Sequence, residues 1–206
     1  MTLSDSIRGE QPASRLPVLE TSRLVLRAPR LGDAKAIAML ANDRRVAEAT
    51  ARIPHPYPAD AAHQWIAASN TRFGEETYAI LRDGVVIGTC AFDLREGAEP
   101  EIGYWLGVPY WGQGYATEAV RALINRAFGE LDHSALVSGA RVTNPASRRV
   151  LEKCGFRWTG VALYRFLSIG TSVPCDRFRL QRSDWMAHAS DRQDWDSFVR
   201  SLARRT

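Results

Sequence analysis

Residues 111–116, "WGQGYA", set two glycines and a glutamine between a strand-like run and an amphipathic helix. A helix N-terminus has unpaired backbone N–H groups and a partial positive charge. Glycines beside it let a ligand approach the backbone closely. Gly112, Gln113, Gly114, Tyr115 and Ala116 would then offer N–H groups to an anion, typically a phosphate, while Ala116 keeps the first turn narrow. The same residues could equally form a tight connector and nothing more. A dinucleotide fingerprint is disfavoured, because "GQGYAT" ends in Thr117 where a third glycine belongs and the preceding strands form a meander. No Gly-Lys-Ser/Thr follows, so this is not a P-loop.

Residues 144–156, "NPASRRVLEKCGF", hold a second group of polar residues. Asn144 reads as a helix N-cap, Pro145 as the first helical residue and Gly155 as the residue just past the end. Ser147 falls in the first turn, and Cys154 stands before the closing Gly-Phe.

The elements that must position these residues follow from periodicity. "RLVLRAP" alternates and stops at Pro29, which predicts a strand. Ile37, Leu40 and Ala41 share a helix face, with Gly32 or Asp33 as the expected cap. "IPHPYPAD" is proline-rich and must be irregular. A second helix carries Ala62, Trp65, Ile66 and Ser69 on one face. Asp83-Gly84 between two β-rich runs predicts a hairpin with a type I′ turn. "EIGYWLGV", residues 101–108, adds a strand, and Val120, Leu123, Ile124, Ala127 and Phe128 form the stripe of the next helix. A strand at "SALVSGARV", the helix after Asn144, and strands near "FRWTGVALYRFL" and "DRFRLQ" complete a mixed α+β order.

Residues 1–19 read as a flexible lead-in, 20–186 as the single domain, and 187–206 as a C-terminal extension. In that extension Ser190 and Gln193 match a capping box, and Trp195, Phe198, Val199 and Leu202 form an apolar stripe. The stripe would cover the body of the domain or a second copy, which leaves a homodimer open.

With 27 Lys plus Arg against 23 Asp plus Glu, the net charge is +4. That mild excess suits an anionic ligand, but there is no dense basic run, so direct nucleic-acid binding is not expected. Three cysteines without framework spacing argue against a disulfide scaffold, and the four histidines form no metal motif. No apolar run could span a bilayer and no signal-peptide core is visible, so a cytoplasmic protein without membrane contact is expected.

Strand, "xxxGxA", helix, strand, "NxxSxxxLxxxGF" resembles the acyl-CoA site of the GNAT superfamily of N-acetyltransferases. The resemblance runs from about residue 20 to residue 185. "LETSRLVLRAP", "EIGYWLGVPYWGQGYATEA" and "LQRSDW" look most like the RimJ/RimL branch, which includes enzymes acetylating N-terminal amines of ribosomal proteins and relatives acting on small amines.

The resemblance implies a mostly antiparallel sheet of about seven strands, splayed between its fourth and fifth and flanked by helices. It implies acetyl-CoA as donor and a primary amine as acceptor, attacked directly in a ternary complex. Leu106, Gly107 and Val108 should face the pantetheine arm, and the pyrophosphate should sit on Trp111, Gly112, Gln113, Gly114, Tyr115 and Ala116. Trp111 stands where the family often has Gln or Arg, which costs a polar contact but spares the backbone cradle.

Asn144 would reach the pantetheine arm, and Ser147 would stand near the coenzyme A sulfur and protonate the departing thiolate. Glu101 occupies the position of a general base in several relatives; a strand-edge carboxylate paired with an arginine is the alternative. The chain departs from the family at Leu151, where many members have a tyrosine acid, and at Thr159, where some have a glutamate. Tyr164 could contribute, and Cys154 reads as a small core residue. Trp65, His55, Tyr57 and Tyr104 are candidate walls of the acceptor site. Loss of turnover in a CoA-binding module is the competing reading; a nucleotide-dependent oxidoreductase is a distant third.

Overall fold

The Asp83-Gly84 turn forms as its residues dictate. Both have positive φ, 49° and 77°, the type I′ signature. It joins β3 (Glu75–Arg82) to β4 (Val85–Asp93), and the pairing shifts register after Ile80 at a bulge. The structure, a computed structural model, describes residues 16–58, 60–69, 74–94 and 97–189. The expected capping box and apolar stripe of residues 190–202 lie outside the described residues, as does nearly all of the lead-in.

One sheet of eight strands runs in the order β1-β2-β3-β4-β5-β6-β8-β7. Its remaining strands are β1 (Leu19–Glu20), β2 (Val25–Arg27), β5 (Glu101–Leu106), β6 (Ala135–Arg141), β7 (Arg157–Phe166) and β8 (Thr171–Gln181). The eighth strand arises because Leu19–Glu20 turns back on β2, so the family's strands four and five are β5 and β6 here. All pairings are antiparallel except β5 with β6.

Helices α1 (Ala34–Ala41), α2 (Arg44–Ala47), α3 (Ala61–Ser69), α4 (Tyr115–Gly129), α5 (Pro145–Lys153) and α6 (Arg182–Ala189) complete the fold. The alternation of β3 explains the layers. Tyr78 and Ile80 point to the α4 side, packed with Val120, Leu123, Ile124 and Phe128. Ala79 and Leu81 point to the opposite side, packed with Ile37, Ala62 and Ile66 of α1 and α3. Helices α1, α3 and α4 bury the faces their spacing predicted.

Three local expectations need correction. The strand at residues 101–108 ends at Leu106, because Pro109 enforces a 3₁₀ turn over Val108–Tyr110. Asp33 precedes α1 without capping it; its carboxylate instead reaches back to the Arg30 N–H at 2.8 Å and to Arg27. The short helix α2 was not expected; Asp43 caps it by accepting from the Arg45 N–H.

Candidate active site

Strands β5 and β6 pair only at Glu101/Val137 and Ile102/Ser138, where the Ser138 hydroxyl donates to the Ile102 carbonyl at 2.8 Å. Beyond that point the two strands form no ladder. A cleft of about 920 Å³ reaches this divide and is lined by Glu101, Tyr104, Ser138, Ser147 and Tyr164, with Trp65 and Tyr57 on the α1/α3 side. Of the expected acceptor walls, Trp65, Tyr57 and Tyr104 line the cleft and His55 does not.

The glycine junction is open where a ligand would need it open. Gly112 and Gly114 have φ of +73° and +83°, which an L side chain adopts only under strain. A Cβ on Gly112 would meet nothing within 4 Å, and one on Gly114 only the Arg23 Nη2, at 3.4 Å. The first helical hydrogen bond of α4 runs from the Glu118 N–H to the Gly114 carbonyl at 3.1 Å. The N–H groups of Tyr115, Ala116 and Thr117 therefore have no carbonyl in the preceding turn to reach.

Side chains around the junction brace it. Gln113 Nε2 donates to the Pro109 carbonyl at 2.9 Å, and Arg23 Nη1 donates to the Gln113 carbonyl at 3.0 Å. The Tyr115 ring is buried, with the guanidinium of Arg23 4.5 Å from its centroid and that of Arg82 at 5.1 Å. Ala116 is half-buried against the main core. Trp111 is exposed, and its indole N–H donates to the Leu106 carbonyl at 2.7 Å. That bond occupies a backbone acceptor the pantetheine arm was expected to meet. Leu106 and Gly107 are buried, and Val108 packs beside Ala41 and Val46. Trp111 and Asn144 share a recess of about 220 Å³ with Arg45 and Arg141.

Asn144 caps α5 by accepting from the Ser147 N–H at 3.1 Å. Ser147 is half-buried; its Oγ lies 2.9 Å from the Tyr104 hydroxyl. Burial pushes the Tyr104 phenol well above the ordinary tyrosine range, against the opposing effect of the Ser147 hydrogen bond. Glu101 Oε1 accepts from Arg177 Nη1 at 3.1 Å and from the Tyr164 hydroxyl at 3.4 Å. Glu101 is thus both a cleft residue and an arginine partner. Leu151 is fully buried and Thr159 is exposed, donating to the Arg177 carbonyl, so neither supplies a group to the cleft. Cys154 is buried against the core.

Sequence reasoning missed Arg23 and Arg177. Arg23 sits in "LETSRL", and no spacing rule links it to a helix almost a hundred positions later. Arg177 follows Asp176 on β8, and only the sheet order brings it to Glu101.

A family model for the acetyltransferase (GNAT) domain matches residues 23–157. The chain is a GNAT acetyltransferase. It is 30% identical over 152 residues to the uncharacterized N-acetyltransferase p20 of Bacillus licheniformis, covering 71% of this chain and 85% of that one. It is 33% identical over 81 residues to the ribosomal-protein-serine acetyltransferase of Escherichia coli, 38% of this chain and 45% of that one. This relative is in keeping with the RimJ/RimL-like branch. Spermidine N-acetyltransferase from Vibrio cholerae, solved with CoA and spermine, superposes with a TM-score of 0.69 at 20% identity, over 81% of this chain and 99% of that one.

A GNAT acetyltransferase takes its acetyl group from acetyl-CoA and passes it to an amine. The open positive-φ glycines Gly112 and Gly114, and the N–H groups of Tyr115, Ala116 and Thr117 with no carbonyl in a preceding turn, suit the anionic end of that donor. Among the described residues no helix is long and apolar enough to cross a membrane, and no group of His, Cys, Asp and Glu could hold a metal.

Proposed function

We propose that this GNAT enzyme acetylates the α-amine at the N-terminus of a protein. The observation that carries this reading is that Glu101, a carboxylate lining the cleft, is already paired with Arg177. A strongly cationic amine would have to compete with Arg177 for that carboxylate. An α-amine, with a pKa of about 7.7–8.0, is substantially neutral near pH 7.5, whereas a lysine amine near 10.4 is not. Glu101 then needs only to take the proton released as the amine attacks, directly or through one water.

The backbone N–H groups of Gly112, Gln113, Gly114, Tyr115 and Ala116 hold the donor's pyrophosphate, with Trp111 covering one end. Leu106, Gly107, Val108 and Asn144 flank its pantetheine arm. Acetyl-CoA supplies the acetyl thioester; the protein supplies position, a proton acceptor at Glu101 and a hydroxyl at Ser147. Tyr164 donates to the same Glu101 oxygen as Arg177, whose guanidinium lies 5.2 Å from the Tyr164 ring centroid.

A small polyamine is the second reading, and one feature favours it. Glu75, Asp93 and Glu101 stand opposite one another on β3, β4 and β5, all lining the cleft. Arg52 bridges the first two, so the row is already partly neutralised.

The separating experiment uses three acceptors with acetyl-CoA: a peptide with a free N-terminus, the same peptide with a blocked N-terminus and one lysine, and a polyamine. Mass spectrometry should find the acetyl group on the free N-terminus. Acetylation of the polyamine alone would transfer the assignment to the second reading, and binding without transfer to any amine would leave a CoA-binding module.

A further inference from the structure

Tyr104 and Ser147 are joined across the open side of the splayed strands. Tyr104 stands on β5 and Ser147 in the first turn of α5. The phenol oxygen lies 2.9 Å from Ser147 Oγ and 3.2 Å from the Ser147 carbonyl, and both residues line the cleft. The Ser147 N–H is already taken by the Asn144 side chain. The serine is therefore held at its backbone N–H, its carbonyl and its hydroxyl, which a solvent-facing helix serine would not be.

Hydrogen counting gives this arrangement a direction. A phenol has one hydrogen to donate, and a serine hydroxyl has one as well. If the phenol donates to the carbonyl, the serine hydrogen can point back at the phenol and is lost to the cleft. If the phenol donates to Oγ, the serine hydrogen is released toward the cleft. An anionic acceptor there selects the second state, because a hydrogen bond to a charged group is about twice as strong as a neutral one. Burial keeps the Tyr104 phenol protonated and hence a donor.

We infer that Tyr104 is a positioning residue, which fixes Ser147 Oγ as its acceptor and so turns the serine O–H toward the sulfur of coenzyme A. This rests on the reading of Ser147 as the group that faces that sulfur. Tyr104 does not itself give up a proton, since a buried phenolate beside Ser147 would have no counter-charge there. Its effect is on the thiolate, the form of coenzyme A left when the acetyl group has gone.

The test is an equilibrium one. A cysteine thiol ionises at about pH 8.5, and the coenzyme A thiol, a plain alkyl thiol, somewhat higher. Coenzyme A affinity is measured from about pH 6.5 to about pH 10.5 for the wild type, Tyr104→Phe and Ser147→Ala, with desulfo-coenzyme A as the ligand lacking the sulfur. In the wild type, affinity relative to desulfo-coenzyme A should rise about tenfold with pH, as a hydrogen bond to a charged group implies.

The rise should vanish in Ser147→Ala and shrink to about twofold or less in Tyr104→Phe, with desulfo-coenzyme A affinity and Tm unchanged. A flat Ser147→Ala with a full rise in Tyr104→Phe would overturn the inference and leave the Ser147 reading standing. A flat wild type would remove both. Equal loss of both ligands in Tyr104→Phe would reduce Tyr104 to a packing role.

Discussion

Arg23 and Glu118 form a clasp directly beneath the glycine cradle. Glu118 Oε2 accepts from Arg23 Nε at 2.7 Å and faces Nη2 at 2.6 Å, while Oε1 accepts from the Arg23 N–H at 2.9 Å. Thr21 and Ser22 hydroxyls donate to the same Oε1 at 2.6 and 3.0 Å. One carboxylate in the first turn of α4 thus fastens the whole "TSR" loop, and Arg23 passes the connection on to the Gln113 carbonyl. The guanidinium keeps that carboxylate from opposing an anion bound at the helix N-terminus.

Arg23→Ala should therefore weaken acetyl-CoA binding by about tenfold, the scale of one charge-assisted hydrogen bond. The double variant Arg23→Ala/Glu118→Gln should bind more tightly than Arg23→Ala alone, because the exposed negative charge is gone. Calorimetric titration of the three proteins decides it. A double variant no better than the single would mean that Arg23 acts only by bracing the loop.

Acid stability should depend on two clasped carboxylates. Burial pushes Glu118 up, but its hydrogen bonds from Thr21, Arg23 and Ser22 outweigh that and hold it below 4.5. For Asp33, burial is again the largest effect, outweighed by the Arg27 and Arg30 contacts, which hold it below 3.8. A lowered folded pKa contributes stability that is present above the unfolded value and lost as pH falls through the folded one. Urea midpoints should thus decline as pH drops below 4.5, and Glu118→Gln should be less stable near neutrality but decline less steeply. An equally steep acid decline in that variant would show that Glu118 carries none of it.

Glu101→Gln keeps the shape of the Arg177 and Tyr164 partner but cannot take a proton. Its kcat for a peptide acceptor should fall by about a hundredfold at pH 7. Part of the loss should return as pH rises past about 8, where the α-amine is already neutral. A pH–rate profile parallel to that of the wild type would remove Glu101 from the proton path.

Away from the site, Arg126 is 8% exposed and binds Glu76 through Nε and Nη2 and Glu130 through Nη1. Arg126→Met leaves Glu76 half-buried without its cation and should cost about 3 kcal/mol in a denaturant titration. A cost below about 1 kcal/mol would put this pair with ordinary surface bridges.

Local chemistry was legible wherever one residue type answers one backbone demand. Asn144, Pro145 and Gly155 bracket α5, and Asp83-Gly84 makes its turn, because caps and positive φ are set by residues within a few positions. The stripe of α4 was legible for the same reason. What stayed hidden depends on sheet order. Arg177 reaches Glu101 because β8 lies against β6, and Tyr104 reaches Ser147 because β5 and β6 part after two pairs. Trp111 stays exposed while its indole N–H reaches the Leu106 carbonyl, a contact that nothing in the sequence around it discloses. Leu19–Glu20 became a strand although two residues carry no periodicity to read.

The most direct measurement is calorimetric titration of acetyl-CoA into the wild type and Gly114→Asp. Aspartate tolerates the left-handed backbone better than most residues, so the fold should survive, which a matching Tm would verify. Its Cβ would stand 3.4 Å from Arg23 Nη2 at the edge of the cradle, where the new carboxylate opposes a bound anion and competes for the arginine that braces the Gln113 carbonyl; a like charge costs several kcal/mol. Binding to the wild type should be saturable, with affinity at least about a hundredfold weaker in the variant. Equal affinity in the two proteins would mean that the donor is held somewhere other than residues 111–116.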